Sequence, residues 1–195
     1  NHADFARLAA ASGWAALGYD QRGHGASGGE MSPAAIGDAG RMARLLGSVD
    51  GVEDSRVCAR GSSMGGFVAI HAAATEAALA GAIAICPASE ELLLEGIRKG
   101  RFEMAADEDA LVPWLEEHDL RDATSLMKAK PLILLHADGD DQVPSQTSRE
   151  LYQRAAEPRK LIIIPGGHHR SVQHDPELQG VALRWIGRAL APPGG

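Results

Sequence analysis

The chain has 195 residues, of which 45% are hydrophobic and 23% charged, with a formal net charge of -7. This length and composition are typical of one soluble globular domain with a sizeable core. The acidic balance argues against a nucleic-acid partner, because no surplus of Lys and Arg could neutralise phosphates, and no apolar stretch is uncharged for long enough to predict a membrane span.

The first half of the chain alternates short apolar runs with helical patterns. An apolar run over residues 14–19 predicts a strand, and Ser32-Pro33 predicts the start of a helix, because serine caps helices and proline suits the first turn. A second strand is predicted over residues 56–59, followed by an alanine-rich helix over residues 64–79. Residues 80–86 form the third predicted strand.

The second half contains the two clearest strands, over residues 131–135 and 161–164. Both are continuous apolar runs, as expected for parallel strands that are covered on both faces. Helical patterns follow them over residues 145–156 and 175–190. This alternation predicts an α/β fold with a doubly wound, mostly parallel sheet.

Residues 87–130 interrupt the alternation with a long, highly charged stretch that contains helical patterns around residues 90–98 and 107–118. We interpret this stretch as a helical lid at the strand ends, where binding loops usually lie. The predicted organisation is therefore a core over residues 1–86 and 131–191, a lid over residues 87–130 and a disordered tail over residues 192–195.

The sequence Gly61-Ser62-Ser63-Met64-Gly65 matches the pattern G-x-S-x-G between a strand and a helix. A strand that turns into a helix within one strained turn needs both glycines, since side chains there would collide with neighbouring backbone. The turn lifts the Ser63 hydroxyl clear of the sheet, and the Met64 N–H can donate to an oxyanion. An ordinary Gly-Ser turn that caps the helix is the alternative explanation of this short pattern.

A serine nucleophile needs a base, and the base needs a carboxylate that orients it. Three aspartates follow the predicted strand 131–135, and two histidines follow the strand 161–164, at the strand ends where catalytic groups gather in parallel sheets. These candidates are Asp138, Asp140 and Asp141, and His168 and His169.

Four motifs together resemble the α/β-hydrolase superfamily, close to its small esterase and serine-peptidase-like members with a short lid. Residues 19–27 are similar to the loop D-x-R-G-H-G-x-S, and residues 61–65 to the nucleophile turn. The acid loop of that family has its aspartate three residues before a valine, which implies Asp140. Its G-x-x-H loop implies His169. The resemblance covers the chain outside residues 87–130.

The resemblance implies a serine hydrolase that cleaves carboxylic esters through an acyl-enzyme, with thioesters or amides as other substrates of the same machinery. It implies that Ser63 is the nucleophile, His169 the base, Asp140 the orienting acid and the Met64 backbone an oxyanion donor. The implied partner is a small-molecule ester or acyl substrate, and no cofactor is implied. A non-catalytic binding protein or inactive fragment on a hydrolase scaffold is the alternative.

No metal site is predicted. The two adjacent histidines fit no usual zinc spacing, and the aspartate cluster lacks the later glutamate of a calcium loop. We expect no catalytic role for the histidines outside these motifs, which are His24, His71, His118, His136 and His174. The two cysteines, Cys58 and Cys86, are expected to be buried free thiols, which is compatible with the cytoplasm.

The five predicted strands correspond to the last five of the eight in the family. The resemblance implies three further strands before Asn1, the third of which would lie between residues 14–19 and 56–59. The loop after that strand would supply a second oxyanion donor. We therefore expect this chain to be the carboxyl-terminal majority of a longer hydrolase, and its start gives no evidence about a signal peptide.

Overall fold

A four-stranded parallel sheet, in the order β1-β2-β3-β4, forms the centre of the computed structural model, which describes residues 2–192. The register pairs Cys58 with Gly81, Ala82 with Leu132, and Leu132 with Arg159. The strands are β1 (Cys58–Ser62), β2 (Gly81–Ile85), β3 (Leu132–Ala137) and β4 (Arg159–Ile164). This arrangement confirms the predicted parallel α/β sheet.

Helices cover both faces of the sheet. Within the described residues they are α1 (His2–Ala11), α2 (Ala34–Gly47), α3 (Met64–Thr75), α4 (Glu90–Arg98), α5 (Glu108–Glu117), α6 (Leu120–Leu126), α7 (Ser145–Arg154), α8 (Ser171–His174) and α9 (Pro176–Ala189). A short 3-10 helix (Asp54–Arg56) precedes β1, so this strand begins two residues later than predicted.

Successive side chains of β3 enter two separate cores. Leu132 and Leu134 pack with the apolar faces of α2, α3 and α7, whereas Ile133 and Leu135 pack with α1 and α9. All four side chains are buried. Because each leucine or isoleucine stabilises the fold by about 1.5–3 kcal/mol on full burial, a strand with both faces covered consists mainly of apolar residues. This explains why β2 and β3 were predicted correctly, whereas β4 was predicted from its apolar run although its residues are only half-buried.

The predicted strand over residues 14–19 is wrong. The segment is not paired with any strand, and residues 15–19 make no backbone hydrogen bond within the described part of the chain. An extended apolar run becomes a strand only where a neighbour supplies backbone partners. The sheet ends at β1, which pairs with β2 alone, so this segment has no adjacent strand.

The insertion contains the two predicted helices, which are α4 and α5, and a third helix, α6, that was not predicted. Its backbone is joined to the loop before α2, where the Met31 N–H donates to Ala105 O at 2.7 Å and the Asp107 N–H donates to Met31 O at 3.0 Å. Among residues 2–192 no helix is both long and apolar enough to cross a membrane. Most of the predicted tail, residues 193–195, lies outside the described residues.

Candidate active site

Ser63 occupies a strained turn between β1 and α3. Its backbone has φ +55° and ψ -121°, in the region that side chains rarely adopt, which costs about 1–3 kcal/mol. Four backbone hydrogen bonds hold it there: its N–H donates to Ile85 O, and its carbonyl accepts from Gly66, Phe67 and Ala88. The turn therefore has the strand, serine and helix arrangement that the motif predicted.

The two glycines of the motif are not equivalent. A Cβ on Gly61 would lie 1.9 Å from the carbonyl oxygen of Gly65 and 2.7 Å from the nitrogen of Gly66, so only glycine fits there. A Cβ on Gly65 would meet nothing within 4 Å. The expectation that both positions exclude side chains is therefore wrong for Gly65, because it is the backbone of Gly65 that Gly61 approaches.

The loop after β3, which carries Asp140 and is called the acid loop, contacts the loop after β4, which carries His169, and both use glycines for this contact. Gly139 N–H donates to Gly166 O at 2.9 Å, and a Cβ on Gly139 would lie 2.6 Å from Gly167 O. Gly166 and Gly167 both have positive φ, which lets the loop after β4 turn back toward the loop after β3. This close approach brings Asp140 and His169 together.

Asp140 and His169 form a buried hydrogen-bonded pair. His169 Nδ1 lies 2.7 Å from Asp140 Oδ2, with 10% of the histidine side chain and none of the aspartate side chain exposed. Because an ionised carboxylate only accepts hydrogen bonds, Nδ1 carries the proton and Nε2 is left free as a base. The other carboxylate oxygen accepts from the amides of Gln142 and Val143, both at 2.9 Å.

Opposing effects act on the pKa of Asp140. Burial on its own would raise that pKa, but hydrogen bonds from the Val143 amide, the His169 ring and the Gln142 amide outweigh it and lower the pKa below the usual value of an aspartate. The carboxylate is therefore ionised at neutral pH even though it is buried.

The neighbouring candidates make other contacts. Asp138 accepts hydrogen bonds from Ser145 at 2.7 Å and Arg149 at 3.4 Å, and Asp141 is exposed. His168 is exposed and accepts from the Arg170 N–H, whereas His169 is buried. Among these alternatives, the fold pairs only Asp140 with His169.

Ser63 lines a groove of about 1150 Å³. Ser63, Met64 and His169 line it, together with residues 14–21, β1 and Phe102 from the insertion. The Met64 N–H has no hydrogen-bond partner in the described part of the chain and lies at the amino end of α3, where an anion is favoured. The Ser63 hydroxyl makes no hydrogen bond within residues 2–192, so the structure does not join Ser63 to His169.

His136 is a residue of this region that the sequence analysis set aside. It lies in β3, is fully buried, and its Nε2 is 3.5 Å from Asp140 Oδ2. The signal that could have identified it is its polarity within a strand whose other residues are apolar.

Cys86, Asp140 and His169 each offer one ligand atom within 4.8 Å of the others, and no other such group of three is found among the described residues. Two observations disfavour a metal ion there. The space between Asp140 and His169 is taken up by their 2.7 Å hydrogen bond, and burial raises the pKa of the Cys86 thiol to about 12. Cys86 is buried as predicted, Cys58 is half-buried, and both are free.

Comparison with known proteins identifies a family. Residues 1–128 match the family of serine aminopeptidases, S33. An uncharacterised protein of Mycobacterium tuberculosis, Rv2307c, is 27% identical over 176 residues, which cover 85% of this chain and 55% of that protein. The uncharacterised protein YfhR of Escherichia coli is 49% identical over 39 residues, which cover 20% of this chain and 14% of YfhR. The chain thus spans about half or less of these relatives.

Solved structures share the fold. The α/β hydrolase GrgF from Penicillium sp. sh18 is 19% identical with a TM-score of 0.76, covering 97% of this chain and 85% of that one. Est1E from Butyrivibrio proteoclasticus, solved with ferulic acid, is 22% identical with a TM-score of 0.76, covering 97% and 83%. A Paleococcus ferrophilus monoacylglycerol lipase is 17% identical with a TM-score of 0.70, covering 96% and 89%.

Proposed function

Because the chain belongs to the serine aminopeptidase S33 family of the α/β-hydrolase superfamily, we propose that it is a serine hydrolase that cleaves carboxylic esters through an acyl-enzyme. The observation that carries this proposal is the buried 2.7 Å hydrogen bond between His169 Nδ1 and Asp140 Oδ2, beside a groove that also contains Ser63. A histidine held in this way has its second ring nitrogen available to remove a proton.

In the proposed reaction, Ser63 Oγ attacks the ester carbonyl carbon while His169 Nε2 takes the hydroxyl proton. The carbonyl π electrons move to the oxygen, and the Met64 N–H donates to that oxyanion. When the tetrahedral intermediate collapses, the C–O bond breaks and the protonated His169 gives its proton to the departing alkoxide. Water then attacks the acyl carbon while His169 Nε2 takes one of its protons. When this second tetrahedral intermediate collapses, the bond to Ser63 Oγ breaks, His169 returns the proton to the serine and the carboxylic acid leaves. Asp140 keeps the imidazole oriented and stabilises its charged form.

Esters of modest size are our first choice of substrate. The groove that Ser63 lines also presents apolar side chains, among them Met64 and Phe102, and Phe102 comes from the insertion that we propose to act as the lid. Of the proteins with a similar structure, Est1E was solved with ferulic acid and another is a monoacylglycerol lipase, and both favour ester chemistry. Thioesters and amides remain substrates that the same residues could cleave. The protein is proposed to be cytoplasmic.

A non-catalytic binding protein on the same scaffold is the second candidate. It is favoured by one observation, which is that the Ser63 hydroxyl makes no hydrogen bond to His169 among the described residues. Catalytic hydrogen bonds are often long in the absence of substrate and tighten only in the reacting complex, so we place this candidate second.

A fluorophosphonate probe separates the two candidates, because it labels serine only where a base activates the hydroxyl. We expect the probe to modify the peptide that contains Ser63, and the Ser63→Ala variant to lose both labelling and ester turnover. Ser62→Ala is the matched control, since it removes the adjacent hydroxyl and should keep both. Absence of labelling in folded wild-type protein, or labelling that survives in Ser63→Ala, would reject the proposed nucleophile.

A further inference from the structure

His136 is a polar side chain enclosed in an apolar strand. It is the fifth residue of β3 and has no exposed surface. Burying a ring with two polar nitrogens is costly unless both are hydrogen-bonded, and both are: Nδ1 lies 2.7 Å from Ser148 Oγ on α7, and Nε2 lies 3.0 Å from the carbonyl oxygen of Val143. His136 thus links the strand end, the acid loop and the following helix.

The contacts of Nε2 determine which ring nitrogen holds the proton. Two acceptor oxygens face it, the Val143 carbonyl and, at 3.5 Å, Oδ2 of Asp140. An unprotonated Nε2 would place a lone pair against both oxygens, so the proton must be on Nε2. Nδ1 is then the acceptor and receives the hydroxyl proton of Ser148.

These hydrogen bonds hold the loop that carries Asp140 in place. The Val143 N–H donates to Asp140 Oδ1 at 2.9 Å, while the carbonyl of the same residue accepts from His136. The peptide units on either side of Val143 are therefore held from two directions, by the carboxylate and by the imidazole. Any movement of Val143 would disturb the angle at which Asp140 meets His169.

Asp140 consequently lies between two imidazoles that have different tasks. Its Oδ2 is 2.7 Å from His169 and 3.5 Å from His136. We propose that His136 is a positioning residue, which as a neutral imidazole fixes the acid loop and leaves the charge of Asp140 to orient and stabilise His169. This inference rests on the proposed function of the Asp140–His169 pair.

The neutral form of His136 is consistent with its surroundings. Burial lowers its pKa, and the nearby His169 acts in the same direction when it is charged, whereas the Val143 carbonyl, Asp140 and Asp138 act against that shift without cancelling it. A charged His136 would compete with His169 for the same carboxylate oxygen, which would weaken the stabilisation of the imidazolium formed during proton transfer.

The test compares variants that keep or remove the Nε2 donor. His136→Phe keeps the ring shape without either hydrogen bond, and His136→Gln places an amide N–H near the position of Nε2. We expect kcat of His136→Phe to fall about 10- to 100-fold with KM changed by less than about 2-fold, and His136→Gln to recover most of the loss, since small displacements of a catalytic group cost this much. His71→Gln is the matched control, because His71 is a buried histidine that contacts Glu90 instead.

A proton NMR measurement tests the same inference without turnover. The proton on His169 Nδ1 should give a downfield signal that moves in His136→Phe and in Ser148→Ala and stays unchanged in His71→Gln. A folded His136→Phe with wild-type kcat and an unmoved signal would overturn the inference, and so would a His136→Gln variant no better than His136→Phe.

Two further outcomes have distinct meanings. If His136→Phe does not fold, Ser148→Ala takes its place, and an unmoved signal with unchanged kcat in that variant would overturn the inference. If wild-type protein neither reacts with a fluorophosphonate nor hydrolyses esters, the proposed function fails, while the position of the Nδ1 signal in the variants still reports whether His136 positions the pair.

Discussion

Asp140 and His169 are 29 positions apart in sequence, yet Oδ2 of the first lies 2.7 Å from Nδ1 of the second. The contact depends on two loops that follow adjacent parallel strands, β3 and β4, and therefore leave the sheet at the same edge. Both side chains are almost fully buried, so water competes weakly for this hydrogen bond.

The Asp140→Asn variant tests the orienting role of the carboxylate. The amide has a similar shape but no charge, and its NH₂ group would favour the wrong tautomer of His169. We expect kcat for ester hydrolysis to fall about 10⁴-fold, as in comparable triads. Asp138→Asn is the control, since Asp138 contacts Ser145 and Arg149 and should keep wild-type kcat. Equal kcat values in the two variants would contradict the assignment.

The His169→Gln variant tests the base in the same way. Glutamine can accept a hydrogen bond but cannot carry a proton between serine and the leaving group, so we expect both kcat and fluorophosphonate labelling to fall at least about 10³-fold. The exposed neighbour His168 offers the matched control, and His168→Gln should behave as wild type in both measurements. If His168→Gln lost more kcat and labelling than His169→Gln, His168 would be the base instead.

The two glycines of the motif differ in the space around them, and this difference predicts different effects on stability when each is replaced by alanine. Gly61→Ala would place a methyl group 1.9 Å from the Gly65 carbonyl, so β1 or α3 must shift, and we expect the free energy of unfolding to fall by about 3 kcal/mol or more. Gly65→Ala has open space within a helix and should be neutral or stabilising by up to about 1 kcal/mol. Urea unfolding of both variants checks this, and similar midpoints would contradict it.

The lowered pKa of His136 predicts a pH dependence of stability. The unfolded chain binds a proton at this position near pH 6.5, whereas the folded protein binds it only at lower pH, because burial disfavours the charged form. The free energy of unfolding of wild type should therefore decrease as the pH falls below about 6.5. The His136→Gln variant has no imidazole to protonate at this position. As the pH falls, its free energy of unfolding should therefore decrease less than that of wild type.

Urea unfolding of wild type and His136→Gln at neutral and mildly acidic pH measures that difference. The charged or titrating groups around the ring, Asp140, His169 and Asp138, are present in both proteins, so the comparison isolates the histidine. A stability difference that does not change with pH would show that His136 takes up its proton equally in the folded and unfolded chains.

Burial on both faces made the central strands predictable. Ile133 and Leu135 face one core and Leu132 and Leu134 the other, so every position of the run must be apolar, and this is visible in one sequence. The motif glycine at Gly61 was predictable for a related reason, because one close backbone contact leaves no space for a side chain.

Other features depend on residues that are distant in sequence. Residues 14–19 have a strand-like composition, but composition does not supply a neighbouring strand, and the prediction failed for that reason. His136 was set aside because its partners, Ser148 and Val143, are brought to it only by the turn after β3 and the packing of α7. The helix α6 was missed because its seven residues are too few to show a clear apolar period.

The unpaired outer side of β1 has a practical consequence for work in solution. Alternate residues of β1 direct their backbone N–H and C=O groups to this side, where no strand among the described residues pairs with them, and residues 15–19 also leave their backbone groups without backbone partners within residues 2–192. An unprotected edge strand promotes self-association between molecules, and charged residues or proline within such a strand normally prevent it. Light scattering should therefore increase steeply with protein concentration, and specific activity measured across a dilution series would show how far this association restricts entry to the groove.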